Sequence, residues 1–156
     1  MKKGLLFIAA LMLTLTATAK VPAADNCMVK KQMEGVWQQV IVDHAGNIKQ
    51  YIPFLKIFNE NGTYIHMQMT NGKPAFFNAT GKWKVKSGNT LFEYVDIRQG
   101  KKMDKYTEEH VFHIEERPNG TFMYNHYHTI GKKMNDISEV WIKCDFSAWD
   151  IMRQRK

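Results

Sequence analysis

GKWKVKSGNTLFEYV, residues 81–95, has the pattern of a β-hairpin. Two alternating runs flank Gly88-Asn89, a dipeptide suited to a two-residue hairpin loop. Such a loop pairs Val85 with Phe92, Trp83 with Tyr94 and Lys84 with Glu93. One face of the hairpin is then apolar, and the other carries a cross-strand ion pair. A shift of one residue would set Trp83 against Glu93, so the pattern favours the unshifted register. Trp83, Val85, Phe92 and Tyr94 are therefore expected to point inward.

The same grammar runs through the chain. Alternating β-branched and aromatic segments occupy 35–43, 52–59, 63–70, 76–86, 90–97, 105–116, 121–129 and 137–144. Short turns rich in Asn and Gly separate them. About eight strands at this spacing describe an antiparallel up-and-down β-barrel. The fold class expected is all-β, with a short C-terminal helical tail at Ser147–Arg155, where Trp149 and Met152 share a face.

Two further hairpins fix partners. A two-residue loop at Asn61-Gly62 would place Phe58 opposite Ile65 and Lys56 opposite Met67. One at Asn119-Gly120 would set His113 opposite His126, Val111 opposite His128 and Glu115 opposite Tyr124. His113, His126 and His128 then share one face, and Phe112, Ile114, Met123 and Tyr127 share the other. Apolarity favours the second face as the inner one, whereas a wet ligand cavity would accommodate the first.

The first nineteen residues read as a secretory signal peptide. Lys2 and Lys3 precede an apolar stretch from Leu5 to Leu15, and Ala17-Thr18-Ala19 supplies the small-residue cleavage site. The apolar run is too short for a membrane span. Residues 20–34 form an N-terminal extension and 35–156 the barrel domain. Export to the periplasm or the extracellular space is the expected localisation. Loss of Lys2 and Lys3 lowers the net charge from +7 to +5. The basic residues are interleaved with carboxylates instead of gathered on one element, which argues against nucleic acid as a partner.

Cys27 and Cys144 are the two cysteines. In an oxidising compartment they are expected to pair, one before the first strand and one at the end of the last. That loop of more than a hundred residues would contribute about 4 kcal/mol in the chain-entropy model. Two free thiols are the alternative.

Catalytic signatures are missing from the sequence: it holds no G-x-S-x-G, H-E-x-x-H, P-loop or G-x-G-x-x-G motif. Glu108-Glu109 and Glu115-Glu116 are adjacent, so on a strand each pair splits between opposite faces. No enzyme activity and no cofactor are expected. Residues i and i+2 on a strand lie about 7 Å apart and directly opposed ones within about 5.5 Å. The three-histidine face could therefore hold a metal or haem iron, line a ligand site or simply be solvated. Asn61, Asn78 and Asn119 each begin an Asn-x-Thr triplet, but two of these are turn residues already.

Gly35-Val36-Trp37 opens the first strand, and at this point the chain resembles the lipocalin-like branch of the calycin superfamily. In that family the tryptophan of G-x-W closes one end of the barrel and packs against a basic residue from late in the chain. Lys143, Arg153 and Arg155 are the counterparts available here. The layout is similar to small secreted lipocalin-like proteins of unknown function from bacterial envelopes. The segment from Asp43 to Pro53 is shorter than the wide first loop of true lipocalins, which argues against a lidded deep calyx.

The resemblance implies a non-catalytic binder of a small hydrophobic or aromatic molecule. Trp83, Phe92 and Tyr94 would form the apolar wall, with Tyr124, His113, His126 and His128 as polar contacts. Two other readings stay open. One is an envelope interaction or inhibitor module that acts through the barrel surface. The other is a metal or haem binder that uses the histidine face.

Overall fold

A computed structural model describes residues 23–70, 73–131 and 137–145. The signal peptide and the C-terminal tail expected from the sequence lie outside these residues. A helix, α1 (Ala23–Met33), precedes eight strands: β1 (Gly35–Val42), β2 (Ile48–Phe58), β3 (Thr63–Thr70), β4 (Lys73–Ser87), β5 (Thr90–Arg98), β6 (Lys101–Arg117), β7 (Gly120–Thr129) and β8 (Ile137–Lys143). Each strand pairs antiparallel with the next, and β8 returns to β1 to close the barrel. The closing seam runs from Trp37 opposite Lys143 to Val40 opposite Val140.

The helix shuts one end. Trp37 Nε1–H donates to Met33 O at 2.7 Å, and Lys143 Nζ donates to Gln32 O at 2.8 Å. The Lys143 ammonium also stands 5.4 Å from the centre of the Trp37 ring. Of the three basic residues considered for Trp37, Lys143 fills the role. Met33, Trp37, Phe58, Trp83, Leu91, Phe112, Met123 and Trp141 make a dry layer beneath α1.

The turns revise the expected registers. At Asn61-Gly62 the loop has three residues, closed by Asn59 N–H to Thr63 O at 2.9 Å, with Gly62 at φ 79°. A type I turn ending in a left-handed glycine has this form. Phe58 therefore faces Tyr64 and Lys56 faces His66. The β1–β2 connection repeats the device, with Gly46 at φ 82° and Asp43 N–H bonded to Asn47 O at 2.9 Å. Asp43 Oδ1 accepts the amides of Ala45 and Asn47, so the short first loop is a tight hairpin.

Gly88-Asn89 is a two-residue loop, with Ser87 opposite Thr90. Neither loop residue takes a positive φ, so this is not the primed turn that matches strand twist. A bulge between Val85 and Ser87 follows, and it shifts the rest of the hairpin by one. Trp83 consequently sits opposite Glu93, and Leu91, Glu93 and Val95 point inward. Phe92 and Tyr94, expected inside, lie on the outer wall, where their rings meet edge to face at 6.1 Å.

The third loop is Pro118-Asn119, with Arg117 opposite Gly120. Moving the loop by one residue slides the register by two, which keeps each face and changes every partner. His113 is opposite Tyr124, Val111 opposite His126, and Glu109 opposite His128. Phe112, Ile114, Met123 and Tyr127 are on the inner face, as apolarity favoured.

The expected disulfide is also corrected. Cys27 and Cys144 are free thiols, the first exposed and the second half-buried. Cys144 N–H is bonded to Val36 O at the β1–β8 seam. Cys27 lies on α1, six residues before Met33, or about 9 Å along the helix axis. It borders a hollow with Gly62 and Trp83, so the helical path carries it away from the seam that an extended path would follow.

Candidate functional site at the open end of the barrel

Above the dry layer the interior becomes ionic. Lys56, from β2, reaches across to β5, where its Nζ meets Glu93 Oε1 at 2.9 Å with both side chains buried. Glu93 Oε2 lies 3.6 Å from His110 Nε2, which is 3.7 Å from Glu108 Oε2. Glu108 Oε1 in turn accepts Arg98 Nη2–H at 2.7 Å, and Arg98 Nη1–H donates to the Tyr106 hydroxyl at 2.7 Å. The Tyr106 hydroxyl continues to Thr129 Oγ1 at 3.0 Å. His110 is held by the Asn125 amide on its Nδ1 side and by the Tyr127 ring stacked on it at 4.8 Å.

The electrostatics follow from this wiring. Burial works against the Lys56 ammonium, but the Glu93 carboxylate, with Glu139 and Glu108, holds its pKa above the ordinary value. Burial alone would raise Glu108; the adjacent His110 ring, then Arg98 and Lys56, bring it down to about 2. Burial and then the Lys56 charge lower His66 to about 4. Burial, reinforced by Glu93 and Glu108, raises the Tyr64 phenol. Truncating one member of a buried ion pair costs about 3–5 kcal/mol, because its partner is left unmatched. This network is thus a rigid crossbar at mid-height.

Among the described residues, Glu93, Glu108 and His110 bring ligand-type atoms within 4.8 Å of one another. They are the residues that would hold a metal ion. Lys56 and Arg98 already match the two carboxylates in charge, so the network is self-consistent as an ion-paired layer. Tyr64 Oη, His66 Nε2 and His110 Nε2 are buried without a hydrogen-bond partner among the described residues. Buried polar atoms of this kind are uncommon in native interiors, so each asks for an explanation.

The end opposite α1 is built differently. There Ile41, Phe76 and Ile137 alternate onto the inner face, Ile41 opposite Gln50 and Phe76 opposite Gln68. Yet Ile41 is 48% exposed and Phe76 49%. All three stand near the ends of their strands, at the rim of the barrel, which leaves them accessible among the described residues. The rim opens downward onto Gln68 and His66, with Phe54 edge-on to the His66 ring at 5.4 Å and Trp141 at 5.8 Å.

The expected site residues separate. Trp83 is inside but in the dry layer, its Nε1–H given to Asn59 O at 3.1 Å. Phe92 lies on the outer wall under Lys86, whose Nζ stands 4.8 Å from the ring centre, and Tyr94 is exposed. His113 stacks on Tyr124 at 6.5 Å, His126 Nδ1 meets Ser138 Oγ at 3.0 Å, and His128 Nε2 is 3.9 Å from Glu109. All four are on the outer wall. His113, Tyr124 and His126 do share a groove of about 740 Å³ across β6, β7, β8 and β1, with Val111, Val140 and the buried Val40.

Lys56, His66, Glu93, Glu108 and His110 were missed as a cluster. Alternation held the signal: Glu108 and His110 sit between Tyr106 and Phe112 on one face of β6, and Glu93 between Leu91 and Val95. What the sequence lacks is the contact from β2 to β5, which exists only once the barrel has closed.

Fold and site together define an eight-stranded antiparallel barrel, closed from β1 round to β8 and plugged by an N-terminal helix at one end. The chain belongs to the DUF4488 family, described as a domain of unknown function, which matches residues 32–150. No curated protein matches the chain. No helix among the described residues is long and apolar enough to cross a membrane.

Proposed function

We propose that this is an exported, lipocalin-like binding protein that holds a small hydrophobic or aromatic molecule at the open end of its barrel without transforming it. The lipocalin-like relationship rests on the G-x-W opening, Lys143 over Trp37 and the up-and-down closure. Export rests on the signal-peptide pattern of residues 1–19. The observation that carries the binding role is the set of inward-facing yet accessible apolar side chains, Ile41, Phe76 and Ile137, above the unpartnered His66 Nε2. An apolar lining over a few convergent polar groups is the usual make-up of a small-molecule site. Lys56 and Arg98 balance Glu93 and Glu108 beneath, which suits an uncharged polar group on the ligand.

N-phenylnaphthylamine, an uncharged aromatic amine whose fluorescence rises in apolar surroundings, tests this reading. Wild type should enhance and saturate. Phe76→Ser should weaken binding about tenfold, in line with about 1.5–3 kcal/mol for a buried phenyl ring that is only part-covered here. Tyr94→Ser, on the outer wall, should leave binding unchanged. Saturable binding untouched by Phe76→Ser would refute the site.

The second reading, a module that docks other envelope proteins, is favoured by the groove across β6–β8 and β1. Val111→Asp at its edge would abolish such docking and leave dye binding intact.

A further inference from the structure

Among the described residues, eight of the eleven exposed large apolar side chains gather at the open end: Ile41, Tyr51, Met69, Phe76, Phe77, Ile97, Ile130 and Ile137. A ligand entering the lumen accounts for the inward-facing members. It does not account for Tyr51, Met69, Phe77 and Ile97, which point away from it. Tyr51 is opposite Val40 and Phe77 opposite Met67, both on the outer face, and Ile97 is opposite the outward Thr80. These four come from β2, β3, β4 and β5, neighbours in the barrel, so they lie along one side of the outer wall near the rim. Tyr51 is 56% exposed and Phe77 54%.

Charge flanks these four. The β5–β6 hairpin turns at Gln99-Gly100, both with positive φ, and presents Lys101, Lys102 and Lys105 exposed around Asp104. Lys49 at the β2 end is paired with Asp43 at 3.4 Å, and Asp96 faces out on β5. Among the described residues, the hairpin tip carries a net positive charge at the rim.

We propose that the open end docks on an anionic phospholipid surface, with Tyr51, Met69, Phe77 and Ile97 entering the headgroup–acyl boundary and the 101–105 hairpin meeting the phosphates. Apolar side chains spread over one end of a barrel suit a flat, deformable partner better than a peptide, which needs a groove. Apolar insertion combined with basic residues is how peripheral proteins hold anionic bilayers. The proposal extends the binding reading but uses different residues, so each can fail alone.

The test is flotation of the full mature chain with vesicles of phosphatidylglycerol and phosphatidylcholine in equal parts, against phosphatidylcholine alone. Wild type should co-float with the anionic vesicles and bind the neutral ones several-fold less. Phe77→Ser with Ile97→Ser should lower co-flotation about tenfold or more, while N-phenylnaphthylamine binding and the thermal melt stay as in wild type. Lys101→Ser with Lys102→Ser should remove the preference for anionic vesicles. Wild type left at the bottom of the gradient, or the Phe77/Ile97 variant floating equally well, would overturn the proposal. So would a concentration-dependent dimer, broken by the same substitutions, in protein that ignores vesicles.

Discussion

His66 shows how one buried side chain links the fold to solution behaviour. Its ring is wedged between Phe54 and Trp141, near Lys56, and its pKa falls from 6.5 to about 4. Below about 6.5 the unfolded chain takes up a proton that the folded chain refuses. The stabilisation is therefore complete above that pH and is lost as pH falls towards 4. Glu108 acts in a lower window: its contribution is full above 4.5 and is lost progressively as pH falls from 4.5 towards 2. Urea denaturation at pH 7 and pH 5 should show wild type weakening between the two. His66→Phe, which cannot titrate, should largely abolish that difference. An equal pH dependence in both proteins would mean that the ring is not buried as described.

At the scale of elements, the hairpins show which features were legible in residue order and which were not. Strand positions followed from alternation because every strand has one face in the barrel. Registers did not, since each hinged on backbone geometry at a turn: a third loop residue before Gly62, a bulge after Val85, a loop shifted onto Pro118. The β4–β5 hairpin was the hardest to read, because Phe92 and Tyr94 made its outer face look like a core face. Its true inner face includes a carboxylate, which is tolerable only because Lys56 arrives from β2. Gly81 marks a second bulge in this hairpin, between Thr80 and Gly81. A Cβ there would collide with the Tyr94 carbonyl oxygen, whereas one at Gly88 meets nothing within 4 Å. Gly81→Ala should cost about 1–3 kcal/mol by overpacking, and Gly88→Ala less than about 0.5 kcal/mol, both read from urea midpoints. Equal effects would argue against the bulge.

The described residues form three levels: an aromatic base sealed by α1, an ionic crossbar, and an apolar rim. Closure of β8 on β1 was foreseeable from eight evenly spaced strands, and the role of Trp37 from the resemblance at Gly35-Val36-Trp37. The site was less legible, because cross-lumen pairs such as Lys56 and Glu93 are distant in sequence and not adjacent in the sheet. The three histidines that stood out in the sequence lie outside the barrel; within it are His66, a weaker candidate by its place between Tyr64 and Gln68, and His110, which did not stand out. This contrast supplies the most direct test. Imidazole resonances of the six histidines, followed by long-range nitrogen–proton NMR during titration with N-phenylnaphthylamine, report where the molecule sits. A ligand in the lumen should give a saturable shift at His66 with His113 and His126 unmoved; shifts confined to His113 and His126 would place it in the outer groove and contradict a lumenal site.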